Sequence, residues 1–201
     1  MFSRLCGKAE MAHRGKIKGS FFNDIMGYTI ESVILAMASL DAFINEFIST
    51  PDEYLPGLND ETKDRFAYLT ESNLSSLEIY EKALSIIQNG ALFDKKQYPY
   101  HDTVILRNFK NALIHFYPEW QADDNAYEEL GETLSSLKFK LSPFYEEDRP
   151  FFPFRYMSYG CSRWAVNAAY DFMEMFSNRI GMPFHLSTIK HMFDTDIPYT
   201  S

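Results

Sequence analysis

Apolar residues recur at three- and four-residue spacing along most of the chain. Between residues 23 and 49, Ile30, Val33, Ile34, Met37, Leu40, Ile44, Phe47 and Ile48 fall on one side of a helix. The segment "TPDEYLPGLND" (50–60) is rich in turn formers and predicts a loop. A second helix is predicted over 61–88, carried by Phe66, Leu69, Leu74, Leu77, Tyr80, Leu84 and Ile87 and stopped by Asn89-Gly90. After a loop through "ALFDKKQYPY", Asp102 or Thr103 is placed to cap a third helix. That helix should end near Phe116, because Pro118 biases Tyr117 away from helical dihedrals. A shorter, acidic helix is predicted over 125–137. The stretch "SPFYEEDRPFFPFRYMSYG" (142–160) reads as an irregular aromatic connection that packs on the helices. The last long helix, 161–180, repeats Trp164, Ala165, Ala168, Phe172, Phe176 and Ile180 before Gly181 stops it, and "HLSTIKHMF" adds one or two turns.

No Val/Thr/Ile alternation signals a sheet, and no internal repeat is evident. The expected fold is all-α, an up-and-down bundle of four main helices plus a short fifth. It occupies residues 21–201, preceded by a basic N-terminal arm at 1–20.

Composition narrows the picture. The 201 residues are 46% hydrophobic and 16% aromatic, with 18 Phe and 13 Tyr, enough to bury a sizeable core and too apolar for a disordered chain. The longest apolar candidate for a membrane span, 33–48, is interrupted by Ser39, Asp41, Asn45 and Glu46, so no membrane association is expected. The polar N-terminal stretch has no secretory apolar region, and the expected location is cytoplasmic. Cys6 and Cys161 form neither a metal-ligand pattern nor a disulfide framework, and Cys161 falls on an apolar helix face as a small core residue.

The net charge of −9 argues against broad, non-specific nucleic-acid binding. The charge is unevenly placed, however. Residues 1–20 carry Arg4, Lys8, Arg14, Lys16 and Lys18 against Glu10 alone, which suits either a phosphate-touching arm or a solvated terminus.

The third helix carries the candidate chemistry. At about 100° per residue, Ile105, Leu106, Phe109, Ala112, Leu113 and Phe116 cluster around Phe109 as a complete core face. The other side holds Val104, Arg107, Asn108, Lys110, Asn111, Ile114 and His115. Asn111 and His115 are four residues apart, so amide and imidazole share a stripe. Val104 and Ile114 are apolar on a face that ought to be wet, which implies a covering surface.

These residues carry a resemblance. "LRNFKNALIHF" resembles the signature of the HEPN superfamily (higher eukaryote and prokaryote nucleotide-binding), whose motif is Arg, a polar residue, a short spacer and His. "LAMASLDAFINEFI" (35–48), with Asp41 and Asn45 four apart, is similar to that family's preceding helix. The resemblance implies a helical bundle that dimerises and brings two copies of the motif to one cleft. It implies a metal-independent endoribonuclease of a defence or toxin–antitoxin system, with no cofactor. In that reading an RNA 2′-hydroxyl attacks the adjacent phosphate and leaves a 2′,3′-cyclic phosphate.

His115 then shuttles the proton, a role suited to an imidazole. Lys110 or Arg107 stabilises charge on the phosphoryl oxygens, Asn111 orients the base or the phosphate, and Asp41 and Asn45 support them. The motif's arginine is matched by Lys110, which has the charge but not the planar fork of guanidinium. Arg107 lies eight residues before His115 on the same slanting stripe.

Two other readings of these residues stand beside the enzyme. A non-catalytic HEPN-like module would use the same face to dimerise or to dock a partner such as a nucleotidyltransferase-type antitoxin. In a purely structural role, His115 would satisfy carbonyls at a helix end, and Asn111 with Asp41 would fix helix register. Elsewhere the signals are weaker. His185 and His191, six apart, do not share a helix face, so no metal site is expected. The acidic residues Asp123, Glu128 and Glu129 and the "YEEDR" run read as solvated or partner-contacting surface.

Overall fold

The longest apolar stripe becomes the helix around which the others assemble. A computed structural model describes residues 1–16, 19–115, 126–144 and 152–192. Its helices are α1 (Phe2–Ala12), α2 (Phe21–Ser49), the single turn α3 (Pro51–Tyr54), α4 (Asp60–Thr70), α5 (Ser76–Ile87), α6 (Tyr100–Ile114), α7 (Ala126–Ser136) and α8 (Tyr159–Ile180). Short 3₁₀ segments occupy Phe154–Tyr156 and His185–Met192. The fold is all-α, and no strand occurs among the described residues.

Helix α2 lies against α8 over much of its length and is flanked by α1, α4, α5 and α6; α8 in turn touches α1, α5 and α6. Ile25, Val33, Leu40 and Ile44 of α2 are fully buried, which accounts for its sustained apolar stripe. By length and composition α2 is also long and apolar enough to cross a membrane. Within this fold its apolar stripe is the centre of the core.

Aromatic rings dominate the far half of that core. Phe176 of α8 meets Phe47 at 5.7 Å and Tyr80 at 4.8 Å, both edge to face, and Phe93 adds a tilted ring against Phe172 at 5.5 Å. Edge-to-face pairs set the positive ring edge on a negative face, so the cluster gains orientation as well as buried area. The Tyr80 hydroxyl is buried with it and donates to the Leu40 carbonyl at 3.0 Å. The high Phe and Tyr content is therefore largely a core property.

Besides the single turn α3 within the loop expected over 50–60, three predicted elements differ from what forms. The helix expected over 61–88 is two helices. Ser72 donates its hydroxyl to the Leu69 carbonyl at 2.7 Å as α4 ends. Ser75 then opens α5 with a capping box, its N–H donating to Glu78 Oε2 at 2.8 Å. Replacing Ser75 by alanine removes half of that box and should cost about 1 kcal/mol. A denaturant titration of the variant is expected to show a lower midpoint at unchanged slope.

The second difference is at the N-terminus. Instead of lying in solvent, residues 2–12 form α1 and lie on α2 and α8. Cys6 and Glu10 are buried there, and the Glu10 carboxylate accepts the Tyr159 N–H at 3.2 Å at the start of α8. Burial pushes the Cys6 thiol up to about 11 and the Cys161 thiol well above its ordinary value, so both are inert core groups. Lys18, part of the expected basic arm, lies outside the described residues.

The third difference is the start of the motif helix. Neither Asp102 nor Thr103 caps it, because α6 begins at Tyr100 after Pro99. Asp102 instead accepts the Trp164 indole N–H at 2.8 Å, and the buried Thr103 hydroxyl donates to the Pro99 carbonyl at 2.9 Å. The helix ends at Ile114; Phe116, Tyr117 and Pro118, invoked for its end, lie outside the described residues, as do Asp123 and the "YEEDR" run.

The described part of the aromatic connection packs on the bundle. Phe152 meets Phe109 at 5.8 Å and stacks on Tyr127 at 5.2 Å, while Tyr156 donates its hydroxyl to the Gly131 carbonyl at 2.6 Å. These contacts hold α7 beside α6.

Candidate functional site

Helix α6 presents two faces of opposite character. Ile105, Leu106 and Phe109 are buried, with Ala112 and Leu113 partly so, as the three- and four-residue spacing predicts. Val104 also packs against the core, so only Ile114 of the two apolar residues on the outer face is exposed, at 49%.

The polar residues cluster toward the C-terminal end. Lys110 Nζ donates to Asn111 Oδ1 at 3.1 Å. An ammonium has donors only, so it engages the amide oxygen and leaves the Asn111 NH₂ to face another acceptor. His115 is the C-cap of α6, with φ −109° and ψ 40°. Its N–H closes the helix on the Asn111 carbonyl at 2.8 Å, its own carbonyl accepts the Tyr127 hydroxyl at 3.4 Å, and the residue is exposed. Because both bonds use the backbone, neither occupies the imidazole nitrogens.

Beside this stripe a groove of about 380 Å³ runs between α6 and α7. Asn108, Asn111 and Ala112 form one wall, and Tyr127, Glu129 and Thr133 the other. Sequence reasoning placed Asn108 on the candidate face but missed Tyr127 and Thr133 as site neighbours. No local pattern marks them, since the groove arises only when Phe152 and Tyr156 hold α7 against α6.

The remaining candidates are placed elsewhere. Asp41 accepts the Ser76 hydroxyl from α5, and its negative charge, second to burial, raises the pKa of the Tyr80 phenol. Asn45 is exposed on α2. Among the described residues, no hydrogen bond joins Asp41 or Asn45 to Asn111 or His115. Arg107 is half-buried, and its charge acts on the α5 side of α6. The Ser75 hydroxyl and N–H hold the Glu78 carboxyl below its ordinary range, with Arg107 contributing. Burial and then Glu81 push the Tyr100 phenol upward, and Arg107 opposes them. The structure thus bonds Lys110 to Asn111 and places His115 at the C-cap one turn beyond Asn111, while Asp41 is engaged by Ser76 of α5. No group of three His, Cys, Asp or Glu side chains fit to hold a metal ion occurs among the described residues. His185 is exposed, and the side chain of His191 lies outside the described residues.

Compared with known proteins, the chain matches no family model, no curated protein and no solved structure. The assignment of function therefore rests on the chemistry of α6.

Proposed function

We propose that this chain is a HEPN-like, metal-independent endoribonuclease that acts as a homodimer in a defence or toxin–antitoxin setting. The observation that carries the reading is the C-terminal end of α6, where the half-buried Lys110 bonds the Asn111 amide oxygen and the exposed His115 caps the helix through backbone atoms alone. In the proposed reaction the 2′-oxygen attacks phosphorus and the bond to the 5′-oxygen breaks. The products are a 2′,3′-cyclic phosphate and a 5′-hydroxyl. One His115 takes the 2′-hydroxyl proton while the other subunit's copy supplies a proton to the departing 5′-oxygen. Lys110 offsets the charge growing on the non-bridging oxygens, and the Asn111 NH₂ orients one of them. The exposed Ile114 beside His115 supplies an apolar contact for the second copy.

A second reading is favoured by a different observation. Asp41 and Arg107 are engaged toward α5, which suits a non-catalytic HEPN-like module. Such a module would use the Ile114 end of α6 to dimerise or to dock a partner, for which a nucleotidyltransferase-type antitoxin is the candidate.

Incubation of the full chain with single-stranded RNA in EDTA tests between them, with cyclic-phosphate ends scored by mass spectrometry and assembly by sedimentation. The enzyme reading expects cleavage by a dimer. Lys110→Arg, which adds a two-pronged donor, should raise the rate several-fold, roughly what one further charged hydrogen bond of about 1 kcal/mol gives. Intact RNA from both proteins, with a stable dimer, supports the docking module instead.

A further inference from the structure

We propose that a pocket on the side of the bundle built by α1, α2 and α8 binds a single-chain anionic amphiphile, with its carboxylate at Arg4 and Arg163. None of its described lining comes from α6 or α7, so it stands apart from the proposed nuclease residues.

The tail site is a concavity of about 320 Å³, at the low end of the range for small-molecule pockets. Phe2, Leu35, Ala36, Val166, Met173 and Leu186 give it apolar walls. Three serines also line it, and the hydroxyls of the two on α2 are turned to their own helix. Ser32 donates to the Tyr28 carbonyl and Ser39 to the Ala36 carbonyl, each at 2.7 Å. The α2 wall is therefore poor in free hydrogen-bonding groups, which suits a hydrocarbon chain better than a nucleotide base or a sugar. Leu35 at the rim is 51% exposed, a large apolar side chain that a bound tail would cover.

The head site adjoins it. A second pocket of about 20 Å³ shares Met1, Ser3 and Val166 with the first and adds Arg4, Tyr159, Arg163 and Asn167. Its size suits a group no larger than a carboxylate, being close to that of a single water. In a chain of net charge −9, neither pocket has an acidic residue among its described lining. Arg4 and Arg163 beside an apolar pocket favour an anion on an apolar stem and repel a cation there.

Calorimetric titration of the full chain with sodium decanoate, below the concentration at which it forms micelles, tests this. Decanol and decyltrimethylammonium serve as the neutral and cationic probes. Saturable one-to-one binding of decanoate, weaker binding of decanol and none of the cation is the expected order. The double variant Arg4→Gln/Arg163→Gln should lose at least about tenfold in decanoate affinity, the equivalent of one charged hydrogen bond, and little for decanol. Ser39→Trp should block both probes, with thermal melts confirming that the variants fold. Absence of saturable decanoate binding by the wild-type chain overturns the proposal. So does equal binding of the cation, or binding only to anionic phosphatidylglycerol vesicles.

Discussion

Replacing His115 with alanine is expected to lower RNA cleavage by roughly 10²–10⁴-fold, the usual contribution of a positioned general acid or base. The fold should not notice. His115 is exposed, and its two hydrogen bonds, to the Asn111 carbonyl and from the Tyr127 hydroxyl, are made by backbone atoms that alanine retains. Surface substitutions of this kind change stability by about 0.5 kcal/mol or less, so the melting temperature should move by no more than roughly 2 °C. The same helix offers a control. His101 is also exposed, but it lies at the opposite end of α6 beside Asp102. Alanine at position 101 should leave cleavage unchanged. The measurement is the initial rate on a fluorogenic RNA in EDTA, for wild type and both variants. Equal rates at position 115 and in the wild type would remove His115 from the chemistry, and with it the nuclease reading.

What could be read beforehand followed from local physics. Ile30 to Ile48, Trp164 to Ile180 and Ile105 to Phe109 showed a helical period because each stripe contacts the core directly, and helices form over those residues, with α6 starting earlier than its expected cap. The break at 71–75 had a signal as well, the Ser75-x-x-Glu78 capping box, but the apolar period continues across it and masks it. α1 was less legible, because its basic residues outnumber its acids while its burial depends on one carboxylate reaching the start of α8. Side-chain partners across long sequence separations had no local signature at all. Nothing near Asp41 announces that Ser76 will donate to it, and nothing near Asp102 announces Trp164. The Arg107–Asn111–His115 stripe was legible because four-residue spacing on one helix is geometry that sequence specifies. The groove beside it depends on α7, which two aromatic side chains of a distant segment, Phe152 and Tyr156, hold in place.

The substitution expected to harm the fold most is a small one, Gly160→Ala. Alanine is favoured over glycine inside a helix by about 1 kcal/mol, so propensity alone predicts stabilisation. Geometry reverses the sign. A Cβ at position 160 would stand 2.4 Å from the Lys140 carbonyl oxygen and 2.7 Å from the Lys140 nitrogen. Both are backbone atoms, and ordinary carbon–oxygen contacts begin at about 3.3 Å. The two segments cannot easily separate to make room. Ser158 donates its hydroxyl to that same Lys140 carbonyl at 2.7 Å while accepting the Cys161 N–H at 3.1 Å. On the other side Glu10 accepts the Tyr159 N–H at 3.2 Å, tying the start of α8 to α1. Opening a gap of nearly 1 Å therefore strains or breaks the cap of α8. A cost of about 3 kcal/mol is expected, the upper end for overpacking, which lowers the melting temperature by roughly 6–12 °C. Gly27→Ala supplies the opposite case in the same protein. Gly27 lies inside α2, and a Cβ there meets nothing within 4 Å, so alanine should stabilise by about 0.5–1 kcal/mol. Thermal and denaturant melts of the two variants should thus move in opposite directions. A Gly160→Ala protein as stable as wild type would mean that α8 does not approach Lys140 this closely.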